Sequence, residues 1–139
     1  MLTNKEKGRI GLSMAVNYFT IHGYTVSLPL NDTQWYDMVV EKDNHFYTIQ
    51  CKCTATANDT IMLKSCGGTN GGIYDSVLNH PELDYLFCVN KDFNCWLIPM
   101  EDIIKAGNTK EIKLRTELAK NAHPKLDTTL YQVQILDKA

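Results

Sequence analysis

Asp37, Gln50 and Lys52 are the residues of this chain whose types and spacing suit phosphodiester chemistry. They fall in one stretch, Trp35 to Lys52 (WYDMVVEKDNHFYTIQCK), with twelve residues between the acid and the glutamine and one between the glutamine and the lysine. A carboxylate and a second side-chain oxygen are the donors that Mg²⁺ takes. An ammonium beside them orients an attacking water and offsets charge on the scissile phosphate. The triplet alone is short, so the elements around it carry the argument.

The stretch reads as two strands joined by a polar turn at Lys42-Asp43-Asn44. From His45 to Cys53 the second strand alternates with period two, which puts Thr48, Gln50 and Lys52 on one face and Ile49, Cys51 and Cys53 on the other. An amide and a lysine inside an otherwise apolar strand cost free energy unless something pairs with them, and that cost marks a site.

At 139 residues the chain is long enough for one domain with a sizeable core, and 44% hydrophobic with 22% charged residues is an ordinary globular composition. It contains no apolar run long enough to span a bilayer, and Met1 opens a polar segment, so the expectation is an intracellular, cytoplasmic protein with no membrane partner. The five cysteines, Cys51, Cys53, Cys66, Cys88 and Cys95, form no C-x-x-C pair and read as reduced and mostly buried thiols; a zinc site from the first three lacks the usual spacing. His22, His45, His80 and His123 are scattered and none is assigned to metal or catalysis.

The net charge of −2 argues against wholesale coating of nucleic acid, but its distribution is uneven. Lys5, Lys7 and Arg9 open the chain; Lys64 stands alone; Lys105, Lys110, Lys113, Arg115, Lys120 and Lys125 face only Glu111 and Glu117 in their segment. Two readings stand for these cations: phosphate contacts, for which Lys5, Lys7, Arg9, Lys64, Lys113 and Arg115 are the candidates, or a solvated face.

Thr3-Asn4-Lys5-Glu6 has capping-box form and predicts a helix to about His22, ended by Gly23. Leu12, Ala15, Val16 and Phe19 form its apolar stripe, widened by Ile10, Met14, Tyr18 and Ile21, so most of it should be buried. Glu6 is the one acid on this helix, and it either closes the capping box or points at the site. A strand follows at Tyr24 to Leu28, then the hairpin. Residues 54–72 read as a flexible Thr-, Asn- and Gly-rich connector around Ile61-Met62-Leu63, with Ser65 to Gly72 lacking a P-loop ending. Ile73 to Asn79 suits a short helix. Leu83–Val89 and Phe93–Ile98 form a second hairpin around Asn90-Lys91-Asp92. Pro99 opens a helix to about Ile104, Glu111–Leu118 is strand or loop, and Leu130–Ile135 alternates as a last strand.

The phrases Glu-Lys-Gly-Arg-Ile-Gly, Gly-Tyr-Thr-Val-Ser-Leu-Pro-Leu, Tyr-Asp-Met-Val-Val and Phe-Tyr-Thr-Ile-Gln-Cys-Lys, with Leu83-Asp84-Tyr85 and Trp96-Leu97-Ile98-Pro99 further on, span residues 3–118. Together they resemble the PD-(D/E)xK nuclease superfamily, in the branch of small group I intron-encoded homing endonucleases that carry glutamine at the second position. The resemblance implies a single α/β domain over residues 1–139, of α+β type: a restriction-endonuclease-like αβββαβ core with an N-terminal helix packed on a central mixed sheet. It implies an Mg²⁺-dependent, site-specific endonuclease acting on double-stranded DNA as a homo-oligomer, dimer or tetramer, with no small-molecule cofactor beyond the metal. Asp37, Gln50 and the Cys51 carbonyl would hold the metal, Lys52 would serve the water and phosphate, and Glu6 would supplement them. In place of the acid that the branch carries after the helix glycine, this chain has Gly8-Arg9. A junction resolvase, a restriction-type nuclease and a non-catalytic DNA-binding protein on the same fold are the alternatives.

Overall fold

In the computed structural model, residues 2–31, 33–66 and 74–136 are described. The first helix, α1 (Asn4–Ile21), starts at the expected capping box: Thr3 Oγ1 accepts from the Glu6 amide at 3.1 Å and Glu6 Oε1 accepts from the Thr3 amide at 3.1 Å. Only Gly11, Ala15 and Phe19 are fully buried on it. The flanking apolar residues pack while staying partly exposed, so the helix is half-buried where burial of most of it is expected. A helix lying on one face of a sheet buries a stripe and leaves its back to water.

The chain then makes β1 (Thr25–Ser27), β2 (Met38–Lys42) and β3 (His45–Cys53). The hairpin turn is Asp43-Asn44 alone, because Lys42 pairs with His45. Both turn residues have positive φ, 53° and 65°, the backbone that a two-residue hairpin matching the strand twist requires. Trp35 and Tyr36 precede β2 instead of belonging to it.

The connector from 54 onward differs from expectation. It holds β4 (Thr60–Met62) and β5 (Lys64–Cys66), and where a short helix is expected there is β6 (Tyr74–Ser76) followed by a 3₁₀ turn at Val77–Asn79. Strand β5 pairs with β6. Strand β4 pairs with β9 (Glu111–Lys113), a partner about fifty residues away that local pattern cannot reveal. Most of the Gly-rich run, residues 67–73, lies outside the described residues. The helical position of the expected αβββαβ order, between β3 and the next central strand, is therefore filled by short strands and a 3₁₀ turn among the described residues.

Strands β7 (Tyr85–Val89) and β8 (Cys95–Pro99), the helix α2 (Met100–Ala106) and the short β10 (Gln132–Val133) complete the elements. Phe93 has φ 63° in the turn, so β8 begins two residues later than the apolar pattern suggests. The final strand shrinks to two residues because Thr128–Tyr131 winds into a 3₁₀ turn.

The six-stranded sheet has the order β1-β2-β3-β7-β8-β10. Only β3 and β7 pair in parallel, which makes the sheet mixed. One face packs on α1 through Met38, Val40, Ile49, Phe87 and Val89. The other packs on α2 and the β4–β9 pair through Leu86, Cys88, Trp96 and Ile98. The fold is α+β, with a restriction-endonuclease-like layering of helix on mixed sheet.

At Gly11 the helix lies against β3. A Cβ there would stand 3.6 Å from Cys53 Cβ, 3.7 Å from Cys51 Cβ and 3.8 Å from the Lys52 carbonyl carbon, which are ordinary contacts. Alanine fits that space and removes the helix-interior penalty of glycine, so Gly11→Ala should raise stability by about 0.5–1 kcal/mol, read from denaturant unfolding. Gly11→Leu should push the Cys51–Cys53 backbone away and lower the melting temperature.

Candidate active site

Two strand ends build the site. Register pairs Met38 with Ile49, and the next rung places Asp37, one residue before β2, beside Cys51. That next rung is not a regular one. The Asp37 amide donates to the Ile49 carbonyl at 2.8 Å, and the Cys51 amide, whose ladder carbonyl is missing, donates to Asp37 Oδ2 at 2.7 Å. The carboxylate thus stands in for backbone. Because the N–H and C=O of one strand residue point to the same edge, the Cys51 carbonyl is also turned toward Asp37.

The alternation read from the sequence holds. Cys51 and Cys53 face α1, while Gln50 and Lys52 lie on the opposite face beside Leu86 and Cys88 of β7. Gln50 Oε1 is buried and has no hydrogen-bond partner among the described residues. A lone buried amide oxygen is costly, of order 1–3 kcal/mol, unless a ligand or water meets it.

Burial sets the electrostatics. It raises the Asp37 carboxyl above its ordinary value, against the opposing pull of the Cys51 amide and of Lys52. It lowers the Lys52 ammonium, against opposing contributions from Cys88 and Asp37. Burial also pushes the Cys88 thiol up to about 12, so Cys88 is neutral at neutral pH and Asp37 is the counter-charge that acts on Lys52 there. Both charged groups are held partly desolvated and neither fully compensates the other, the arrangement expected where a third charge is to be bound.

The remaining expected site residues are dispersed. Glu6 is exposed, and its carboxylate is held low by the backbone and side-chain hydrogen bonds of Thr3, so it closes the capping box. Lys5 and Arg9 are exposed on α1, and Lys7 lies near Cys53, the residue after Lys52, where its charge opposes the burial that raises the Cys53 thiol. Lys64 and Lys113 are exposed on β5 and β9, across the sheet from α1. Arg115 is half-buried, with its carbonyl accepting from Trp96 Nε1 at 3.1 Å and its Nε buried without a partner among the described residues. Sequence reasoning overlooks Thr48 and Asp84. The Thr48 amide donates to Asp84 Oδ2 at 2.9 Å, its hydroxyl donates to the Glu82 carbonyl, and the Asp84 amide donates to Thr48 Oγ1 at 3.0 Å. These bonds pin β3 two residues before Gln50; the phrase Leu83-Asp84-Tyr85 marks the place without giving the partner.

Asp37, Gln50 Oε1 and the Cys51 carbonyl are the oxygens at this strand end that could hold a hard divalent cation. Among the described residues no group of three or more His, Cys, Asp or Glu side chains converges.

The solved structure of a bacterial homing endonuclease, I-Ssp6803I, superposes with a TM-score of 0.73 at 18% sequence identity, covering 94% of this chain and 89% of that one. A search of curated proteins finds no match. The sequence pattern of the PD-(D/E)XK endonucleases matches residues 2–133, which takes in both strands of the site, and the chain belongs to that endonuclease family.

Proposed function

We propose that this protein is an Mg²⁺-dependent, site-specific endonuclease that hydrolyses phosphodiester bonds of double-stranded DNA in the manner of a homing enzyme. The observation that carries the reading is the buried Gln50 Oε1, without a hydrogen-bond partner among the described residues, on the strand face that Lys52 shares, with Asp37 at the same strand end. The structural likeness to a homing endonuclease supports that role over resolvase or restriction roles.

Asp37, Gln50 and the Cys51 carbonyl would hold the ion, which when bound supplies charge stabilisation at the scissile phosphate and a more acidic water. Asp37 performs two tasks: Oδ2 keeps the Cys51 amide, and Oδ1 is left for the ion. Lys52 orients the attacking water and stabilises charge building on the phosphate. Burial also lowers its affinity for a proton, against the opposing pull of Asp37. Lys5, Lys7, Arg9, Lys64, Lys113 and Arg115 are the proposed phosphate contacts, which position the duplex without reading its sequence. Glu6 has no catalytic part in this scheme.

One 15.8 kDa domain over residues 1–139 carries one cleavage centre. Cutting both strands of a long site favours a symmetric homo-oligomer, a dimer at least. Light scattering should give a multiple of the chain mass under conditions where both strands are cut; a strictly monomeric mass there contradicts the assembly.

Asp37→Asn tests site and fold together. Asparagine keeps an acceptor for the Cys51 amide but loses the charge, so divalent-dependent nicking of plasmid DNA should fall by about a thousandfold or more, with DNA affinity within a few-fold of the parent. Stability should move the other way. Because the folded protein raises the Asp37 pKa, the ionised carboxylate destabilises the fold above that raised value, and the penalty disappears below the unfolded value near 3.8. In metal-free buffer the variant should therefore melt higher than wild type at neutral pH, with the difference closing as pH falls to that range. Wild-type cleavage by the variant removes Asp37 from the site.

A further inference from the structure

His80 is used neither by the scheme above nor by any sequence motif. Its Nε2 is 2.9 Å from Asp75 Oδ2 and its Nδ1 is 2.9 Å from Glu82 Oε1. A neutral imidazole has one N–H and one lone pair, so it can donate to only one of two carboxylates, whereas the imidazolium donates to both. The ring is 20% exposed, which leaves little room for water to replace either bond.

The other groups facing it are acidic or neutral. Asn79 Nδ2 donates to Asp75 Oδ1 at 3.0 Å, and the cleft of about 400 Å³ that His80 borders carries Asp84, Glu101, Tyr47 and Tyr85 and no lysine or arginine. The Asp75 carboxyl is drawn down to about 2, by the Asn79 bond first and the His80 bond next.

The flat face of the ring is stacked on Trp35, with centroids 3.9 Å apart and planes 17° from parallel. A cation over an indole is the strongest of the cation–aromatic pairs. Trp35 lies two residues before Asp37, in the segment between β1 and β2, where the first ladder-like bond to β3 is that of the Asp37 amide. Glu82, the other arm of the clamp, receives the Thr48 hydroxyl through its carbonyl, on the strand that carries Gln50. One side chain therefore ties the end of β6, the approach to Asp37 and the turn that braces β3.

We propose that His80 is a positioning residue for DNA cleavage: clamped between Asp75 and Glu82 it holds Trp35 by stacking, and so fixes where Asp37 enters the site. The inference rests on the nuclease reading above.

The test has a spectroscopic arm and a kinetic arm. An imidazole stacked on an indole quenches it, so at one fixed pH Trp35 emission, taken as the difference between each protein and its Trp35→Phe counterpart, should be stronger in His80→Gln than in wild type. In single-turnover cleavage of duplex DNA with Mg²⁺, His80→Gln should be slower by about tenfold, as small misplacements of a reacting group produce, with DNA affinity and circular dichroism unchanged. His80→Arg should restore the rate to within about threefold, because a guanidinium donates to two carboxylates and stacks on indole. A His80→Gln variant that cleaves as fast as wild type, or whose Trp35 emission matches wild type, overturns the inference. A wild-type protein that does not cut DNA overturns the nuclease reading instead, and the emission arm still decides whether the clamp exists.

Discussion

The bond from the Cys51 amide to the Asp37 carboxylate is the contact on which the site depends. At the end of an antiparallel pair a strand normally runs out of partners, and the next amide turns to water. Here that amide is half-buried, and a side chain takes the missing rung at 2.7 Å. The bond fixes the carboxylate against the strand, at the edge to which the Cys51 carbonyl also turns.

A second constraint comes from β3 having two packed faces. Toward α1 it presents Ile49, Cys51 and Cys53, whose small thiols let Gly11 of the helix come within contact distance of the strand. Toward the other layer it presents Gln50 and Lys52 among apolar neighbours. The helix pins the backbone, and the opposite face carries polar groups that burial leaves short of partners. Stability is given up on one face and supplied by close packing on the other.

Local features were readable in the sequence because they depend on neighbours in the chain. Thr3 and Glu6 specify the helix start, and alternation from His45 to Cys53 assigns every side chain of β3 to its correct face. The Asp43-Asn44 turn is equally local. What the sequence hides is pairing at a distance. Thr60–Met62 looks like loop because three residues carry little pattern, and it becomes a strand only when Glu111–Lys113 comes alongside. Val77–Asn79 has helical composition but is held in a single 3₁₀ turn by the Ser76 side chain, with β6 immediately before it. Within the site, spacing and resemblance single out Asp37, Gln50 and Lys52 as candidates. That Asp37 replaces a ladder carbonyl, that Gln50 Oε1 is orphaned, and that His80 bridges Asp75 and Glu82 are facts of three-dimensional contact. For Glu6 the sequence left two roles open, and the hydrogen bonds to Thr3 favour the capping one.

The central claim is that Asp37, the Gln50 amide oxygen and the Cys51 carbonyl form one cation site. The measurement that addresses it most directly is an anomalous-scattering map of crystals grown with Mn²⁺ in place of Mg²⁺. The account predicts one peak bonded to Asp37 Oδ1 at about 2.1 Å, with Gln50 Oε1 and the Cys51 carbonyl reaching it directly or through one water. A peak elsewhere, with Gln50 Oε1 hydrogen-bonded to protein instead, would contradict it.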